Sequence, residues 1–164
     1  MAKTTTAKAS LTSAVGVRDH ILGPDEAKIT LVEYGDLQCY HCRQVQPVIR
    51  QLRERLGNRL RYVFRHFPIS SIHPDANLAA QATEAAGAQG KFWAMHDTIF
   101  EHQGELDRDH LLEYARELGL DVDRFMNELD DGVYAERVRE DFLSGVKSGV
   151  NGTPTFFING VRYD

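Results

Sequence analysis

Two cysteines stand in one four-residue window, Cys39-Tyr40-His41-Cys42, and they are the chain's whole complement of that residue. A C-x-x-C pair opening a helix has a chemistry of its own. The first sulfur meets the unpaired N–H groups and the positive dipole end of the helix N-terminus, and both favour an anion. Its pKa is therefore expected to fall, into a range of roughly 3.5–7.5 for such motifs. The second cysteine, nearly one turn on, is close enough to form a disulfide with the first. His41 between them can donate a hydrogen bond or place positive charge near the Cys39 sulfur, lowering its pKa further. A stabilised thiolate is a good leaving group, so a Cys39–Cys42 disulfide is expected to be oxidising.

Two other readings compete. A structural disulfide between adjacent positions closes a very short loop and constrains the unfolded chain little. A static bridge also suits a chain without a leader poorly. For a metal, Cys39, His41 and Cys42 offer three ligands, but positions i, i+2 and i+3 of a helix do not converge on one ion. No second C-x-x-C completes a tetrahedral site. Redox chemistry is the reading carried forward, with no metal and no cofactor expected.

The elements around this window position it. Lys28–Tyr34, KITLVEY, reads as a strand after the turn signal Gly23-Pro24-Asp25. Val45, Val48, Ile49, Leu52 and Leu56 recur at helical spacing to Gly57-Asn58, with Pro47 expected to kink that helix. Leu60–Phe67 is a second strand stopped by Pro68, and the β–α–β order favours a right-handed crossover between parallel strands. From Pro74 to about Gly149 the pattern is helical, with Asp107 and Asp121 as expected N-caps. Thr155–Ile158, the turn Asn159-Gly160 and Val161–Tyr163 form a closing hairpin. Glu33 shares a strand face with Ile29 and Leu31, which places a carboxyl in apolar surroundings and predicts a raised pKa.

The 164 residues suit one domain, and 42% apolar with 26% charged residues excludes a disordered or fibrous chain. A net charge of −5 argues against a nucleic-acid binder, and no apolar run approaches the roughly 18 residues of a membrane span. Residues 43–66 carry a net +6 and residues 97–141 a net −10. Such runs are usually solvated helix faces, here with a polarity that can orient a substrate. His66 and His73 are expected to pack or cap, and His20, His96, His102 and His110 to be surface or satisfied core histidines. Trp93 and Phe92 suit the core of the helical block.

The strings LVEYGDLQCYHCRQVQP and GTPTFFING, on either side of the helical block, resemble the DsbA-like branch of the thioredoxin superfamily from about Arg18 to Asp164. The chain is also similar to the thioredoxin-like domains appended to bacterial sodium/proton antiporters. The resemblance implies an α/β thioredoxin fold with an inserted all-helical block and residue roles to match. Cys39 is then the exposed nucleophile that forms the mixed disulfide, and Cys42 the buried resolving thiol. Pro154 is a cis-proline facing the disulfide. Thr153 offers backbone hydrogen bonds to an extended substrate peptide, and Glu33 assists proton transfer at Cys42. Tyr40 stands where relatives usually carry proline and sets a bulky phenol beside the sulfur, among the substrate contacts.

The domain organisation expected is a flexible tail or linker at 1–17, a thioredoxin-like domain at 18–68 and 150–164, and a helical insertion at 69–149. A final covering helix is absent from the sequence, so the expectation is a truncated chain or a cover supplied by a partner chain, such as a homodimer. The function expected is that of a protein disulfide oxidoreductase acting on protein or peptide thiols, reset by a redox partner. The alternative is a redox-sensing regulatory or interaction domain attached to or partnering a membrane transporter. With no apolar leader stretch in residues 1–17, the protein is expected in the cytoplasm.

Overall fold

The computed structural model describes residues 7–164, and residues 1–6 of the expected tail lie outside it. Five strands form one sheet: β1 (His20–Leu22), β2 (Ile29–Gly35), β3 (Leu60–His66), β4 (Thr155–Ile158) and β5 (Val161–Tyr163), in the order β1-β3-β2-β4-β5. β2 and β3 are parallel, with Glu33 opposite Phe64, and every other pairing is antiparallel. Helix α1 (Tyr40–Leu56) connects the parallel pair and runs unbroken through Pro47. Four helices follow β3: α2 (Ala76–Gly87), α3 (Phe92–Glu101), α4 (Arg108–Glu117) and α5 (Val122–Asp130). A sixth, α6 (Ala135–Lys147), leads back to β4. The result is the thioredoxin fold with a helical insertion.

Local chemistry explains the boundaries. Asp107 and Asp121 cap α4 and α5, their carboxylates accepting from Asp109 and His110 N–H and from Arg124 N–H respectively. Asn159 and Gly160 take positive φ, as a two-residue hairpin turn with the strands' own twist requires.

Strand alternation sends Leu31, Tyr62 and Phe64 to one face of the sheet. There they meet Ile49 of α1, the buried alanines of α2, and Met95 and Ile99 of α3. The alanines let α2 lie close, and the large rings opposite fill the space they leave. Val32, Tyr34, Val63 and Phe157 face the other way, against Phe67 just past β3 and Phe142 of α6. Gly145 permits that approach, because a Cβ there would sit 2.7 Å from the Phe67 ring and 3.0 Å from the Tyr34 ring.

The described part of the 1–17 segment is held to the domain. Leu11 and Val15 pack on this second core. Leu11 N–H donates to Gly160 O at 2.8 Å, and Ala9 O accepts from Arg162 N–H at 2.9 Å. Buried Arg65 grips the Ser13 and Ala14 carbonyls and pairs with Asp19. These backbone bonds lie on the outer edge of β5, where an unpaired strand edge would otherwise be open. Ile158, Val161 and Tyr163 at that end of the sheet remain exposed.

Candidate functional site

β2 delivers Glu33 and ends at Gly35, and the chain turns through Asp36, Leu37 and Gln38 into Cys39. Gly35 has no room for a side chain, since a Cβ would lie 2.4 Å from the Phe64 ring and 3.1 Å from Glu33 Oε1. The turn is braced by buried Asp36. Its carboxylate accepts from Gln38 N–H and Ile69 N–H, each at 2.8 Å, and meets His73 Nδ1 at 2.8 Å. Its carbonyl accepts from Cys39 N–H at 3.0 Å. Cys39 is the N-cap of α1, extended at φ −76° and ψ 124°, so its sulfur sits beside the free N–H groups of the first turn.

Both cysteines are free thiols and lie against each other. Their environments push them in opposite directions. Cys39 is lowered to about 5, chiefly by a hydrogen bond from the Cys42 thiol. Thr153 and the backbone N–H groups of Cys42 and His41 add to this, against the opposing effect of burial. Cys42 has no exposed surface, and burial, the hydrogen bond with Cys39 and the nearby Glu33 charge push it far above an ordinary thiol. The Asp36 N–H, 3.4 Å from Cys42 Sγ, offsets little of that. One sulfur is thus held as an anion and its neighbour as a protonated donor.

Glu33 is fully buried, and desolvation raises it to about 7. Tyr62 O–H donates to its Oε2, and Gln46 Nε2 donates to the same oxygen at 3.3 Å, both pulling it back down. The Gln46 amide also reaches the Cys42 carbonyl at 3.2 Å and so links the carboxyl to the helix that carries the cysteines. The Thr153–Pro154 peptide is cis, and Thr153 O lies 3.6 Å from Cys39 Sγ.

The structure therefore gathers Cys39, Cys42, Glu33 and Thr153 with Pro154 around one pair of sulfurs, and it differs from expectation at two side chains. Cys39 keeps only 6% of its surface, so the expected exposed nucleophile is recessed. His41 acts on the sulfur through its backbone N–H, while its exposed imidazole stands edge-on to the Tyr40 ring at 5.8 Å. Tyr40 itself is 59% exposed beside the pair, with its hydroxyl accepting from Gln44 Nε2 at 2.7 Å.

Sequence reasoning missed Gln46, Tyr62 and Asp36. Gln46 carried a signal, since it follows Cys42 by one helical turn and so faces the same way. Tyr62 lies on the face of β3 that neighbours Glu33, readable only once the register pairs Leu31 with Tyr62. Asp36 acts through a loop more than thirty residues away, which no local pattern reveals.

The thioredoxin family's sequence profile matches residues 16–164. A sodium/proton antiporter NhaA 1 of Salinispora arenicola is 51% identical over 146 residues, which is 89% of this chain and 22% of that protein. The chain thus spans under a quarter of the length of the antiporter relatives it matches. Among solved structures, a thioredoxin-like oxidoreductase from Silicibacter pomeroyi has a TM-score of 0.79 at 28% identity, covering 90% of this chain and 83% of that one. BdbD from Bacillus subtilis has a TM-score of 0.80 at 21% identity, covering 96% and 88%, and shows the likeness of fold. Alpha-DsbA1 from Wolbachia pipientis has a TM-score of 0.77 at 25% identity, covering 88% and 76%.

These neighbours overturn the cytoplasmic expectation. Alpha-DsbA1 is a DsbA protein, and DsbA proteins are the oxidants of the bacterial periplasm, not of the cytosol. The expectation had rested on the lack of an apolar stretch in residues 1–17, and that lack says nothing about compartment.

Proposed function

The chain belongs to the thioredoxin family, and from that premise we propose that it is a DsbA-like protein disulfide oxidoreductase that exchanges disulfides with protein or peptide thiols through Cys39 and Cys42. The observation that carries the reading is the pair of adjoining free thiols at the N-terminus of α1, Cys39 Sγ 3.6 Å from the carbonyl of the cis Thr153–Pro154 peptide, with Cys39 lowered to about 5 and Cys42 pushed far up beside it.

In the oxidised enzyme a substrate thiolate attacks Cys39 Sγ. A substrate–Cys39 bond forms, the Cys39–Cys42 bond breaks, and Cys42 leaves as a thiolate that takes a proton from Glu33. A second substrate thiolate then attacks the substrate sulfur of the mixed disulfide. The substrate disulfide closes and Cys39 departs as the stabilised thiolate. The substrate loses two electrons and the cysteine pair gains them. Because Cys39 is the better leaving group, the pair favours its reduced form and the enzyme oxidises its substrate. In the reverse direction Glu33 accepts the Cys42 proton, which its pKa of about 7 suits.

Thr153 and cis Pro154 border the sulfur pair, where an extended substrate segment finds the Thr153 backbone as hydrogen-bond partner. Tyr40 offers its exposed ring beside that path. His41, through its N–H, helps hold the thiolate. A redox partner resets the cysteine pair between cycles. Exposed Ile158, Val161 and Tyr163 support a covering element from a second copy or an adjoining chain.

The test uses purified protein and a reduced two-cysteine peptide. Repeated turnover with a redox buffer is expected; mixed instead with the disulfide form of the same peptide, Cys42→Ser should accumulate the mixed disulfide at Cys39, and Cys39→Ser should form none. Equal trapping by both variants would refute the assignment. One observation favours a second reading, the 51% identity to part of an antiporter. A redox-sensing domain joined to or partnering a transporter would change its partner affinity with the state of the pair and turn over no free peptide.

A further inference from the structure

Gln103 lies between α3 and α4, far in sequence from the cysteines, yet its side-chain amide is bonded to the active-site turn. Nε2 donates to Leu37 O at 2.9 Å and to Cys39 O at 2.7 Å. The Cys39 carbonyl already accepts from Arg43 N–H at 3.1 Å as the first bond of α1, so Gln103 is its second donor. At the N-cap the reacting sulfur stands where a capping hydroxyl or carboxylate is usual. A second bridge from the helical block grips the same turn, where Asp75 N–H donates to Gln38 Oε1 at 2.8 Å.

We propose that Gln103 is a positioning residue for Cys39, through which the helical insertion holds the turn that aims backbone N–H groups at the reacting sulfur. The inference deepens the oxidoreductase reading and rests on it. The Gln103 amide ties the Leu37 carbonyl to the Cys39 carbonyl across the turn and counters the negative ends of both dipoles. Its grip also fixes the Cys39 peptide, and with it the direction of the His41 and Cys42 N–H groups that stabilise the thiolate. Without the amide, Cys39 O keeps only its helical bond and Leu37 O loses its side-chain partner. The first turn then frays, as helix ends do when their caps are removed.

The experiment compares wild type with Gln103→Met, which keeps the length of the side chain and removes the donor. Two quantities are read: the midpoint of the Cys39 thiolate absorbance against pH, and the equilibrium constant for reduction by glutathione. The midpoint is expected to rise by about one unit and the equilibrium constant to fall about tenfold, one unit of pKa being a factor of ten in the ionisation. Gly145→Ala, which strains the opposite face of the sheet, serves as a destabilised control and should move neither. If Gln103→Met does not fold, Gln103→Asn withdraws the same amide by one methylene and carries the same direction of change. A Gln103 variant that melts earlier but leaves both quantities unmoved would overturn the positioning role. A wild-type protein that exchanged no disulfide with glutathione would instead overturn the oxidoreductase reading beneath it.

Discussion

Replacing Glu33 by Gln tests whether the buried carboxyl is what the structure makes it. Glu33 is raised from 4.5 to about 7, with desolvation as the leading cause. The sign follows from proton counts. Between pH 4.5 and 7 the unfolded chain has released this proton and the folded chain keeps it, so stability falls as pH rises through that window. A shift of about 2.5 units at about 1.36 kcal/mol each puts the loss at roughly 3 kcal/mol by pH 8. Glu33→Gln removes the ionisation and retains a polar group for Tyr62 and Gln46. The variant should match wild type within about 1 kcal/mol at pH 4.5 and exceed it by roughly 3 kcal/mol at pH 8, a gap of about 6–12 °C in melting temperature for a chain of this size. The assay is denaturant unfolding of the reduced proteins in steps from pH 4.5 to 8. Taking the difference between the two proteins cancels most of the Cys39 contribution, which runs the other way. A difference that stayed flat across this range would refute the buried, proton-holding carboxyl. The same variant should lose the inflection near pH 7 in the rate at which Cys42 resolves a mixed disulfide.

Three further substitutions probe the surroundings. Tyr62→Phe deletes a donor to the Glu33 carboxylate, so unfolding at pH 8 should show a loss of about 1.5–3 kcal/mol that shrinks at pH 5, where the carboxyl is neutral. Arg65→Met strands buried Asp19 and frees the Ser13 and Ala14 carbonyls, and should cost about 3–5 kcal/mol in denaturant unfolding. Proteolysis within residues 9–19 should rise with it. Gly145→Ala forces a methyl against the Phe67 and Tyr34 rings and should cost about 1–3 kcal/mol by thermal melting, with the glutathione equilibrium of the cysteine pair unchanged.

The parts legible in the sequence were those that local pattern dictates. The alternation of KITLVEY, the apolar stripe from Val45 to Leu56, the aspartate caps and the Asn159-Gly160 turn each follow from short-range physics, and each has its counterpart in the structure. The Cys39–Cys42 pair was legible because helix-terminus electrostatics need only spacing. What escaped notice depends on distant partners. Residues 9–14 read as a tail because Thr, Ala and Ser carry no apolar period, whereas the bonds that hold them run through backbone atoms indifferent to side-chain identity. β1 is three residues long and gains its place from Phe64, Val63 and Tyr62 across the sheet. His66 read as a packing or capping residue and His20 as a surface or satisfied core histidine, and the fold brings both to the buried Glu84 carboxylate, a partner no local spacing reveals. His41 was credited with its imidazole, whereas its backbone N–H is what lowers Cys39.

The central claim is that two neighbouring sulfurs are held in opposite protonation states. A pH titration of the reduced protein, followed by ultraviolet thiolate absorbance with Cys39→Ser and Cys42→Ser alongside, tests it most directly. The account predicts one thiolate rising with a midpoint near 5, lost in Cys39→Ser, and no second thiolate below about pH 10. A midpoint near the ordinary thiol value of about 8.5, or both sulfurs ionising together, would contradict it.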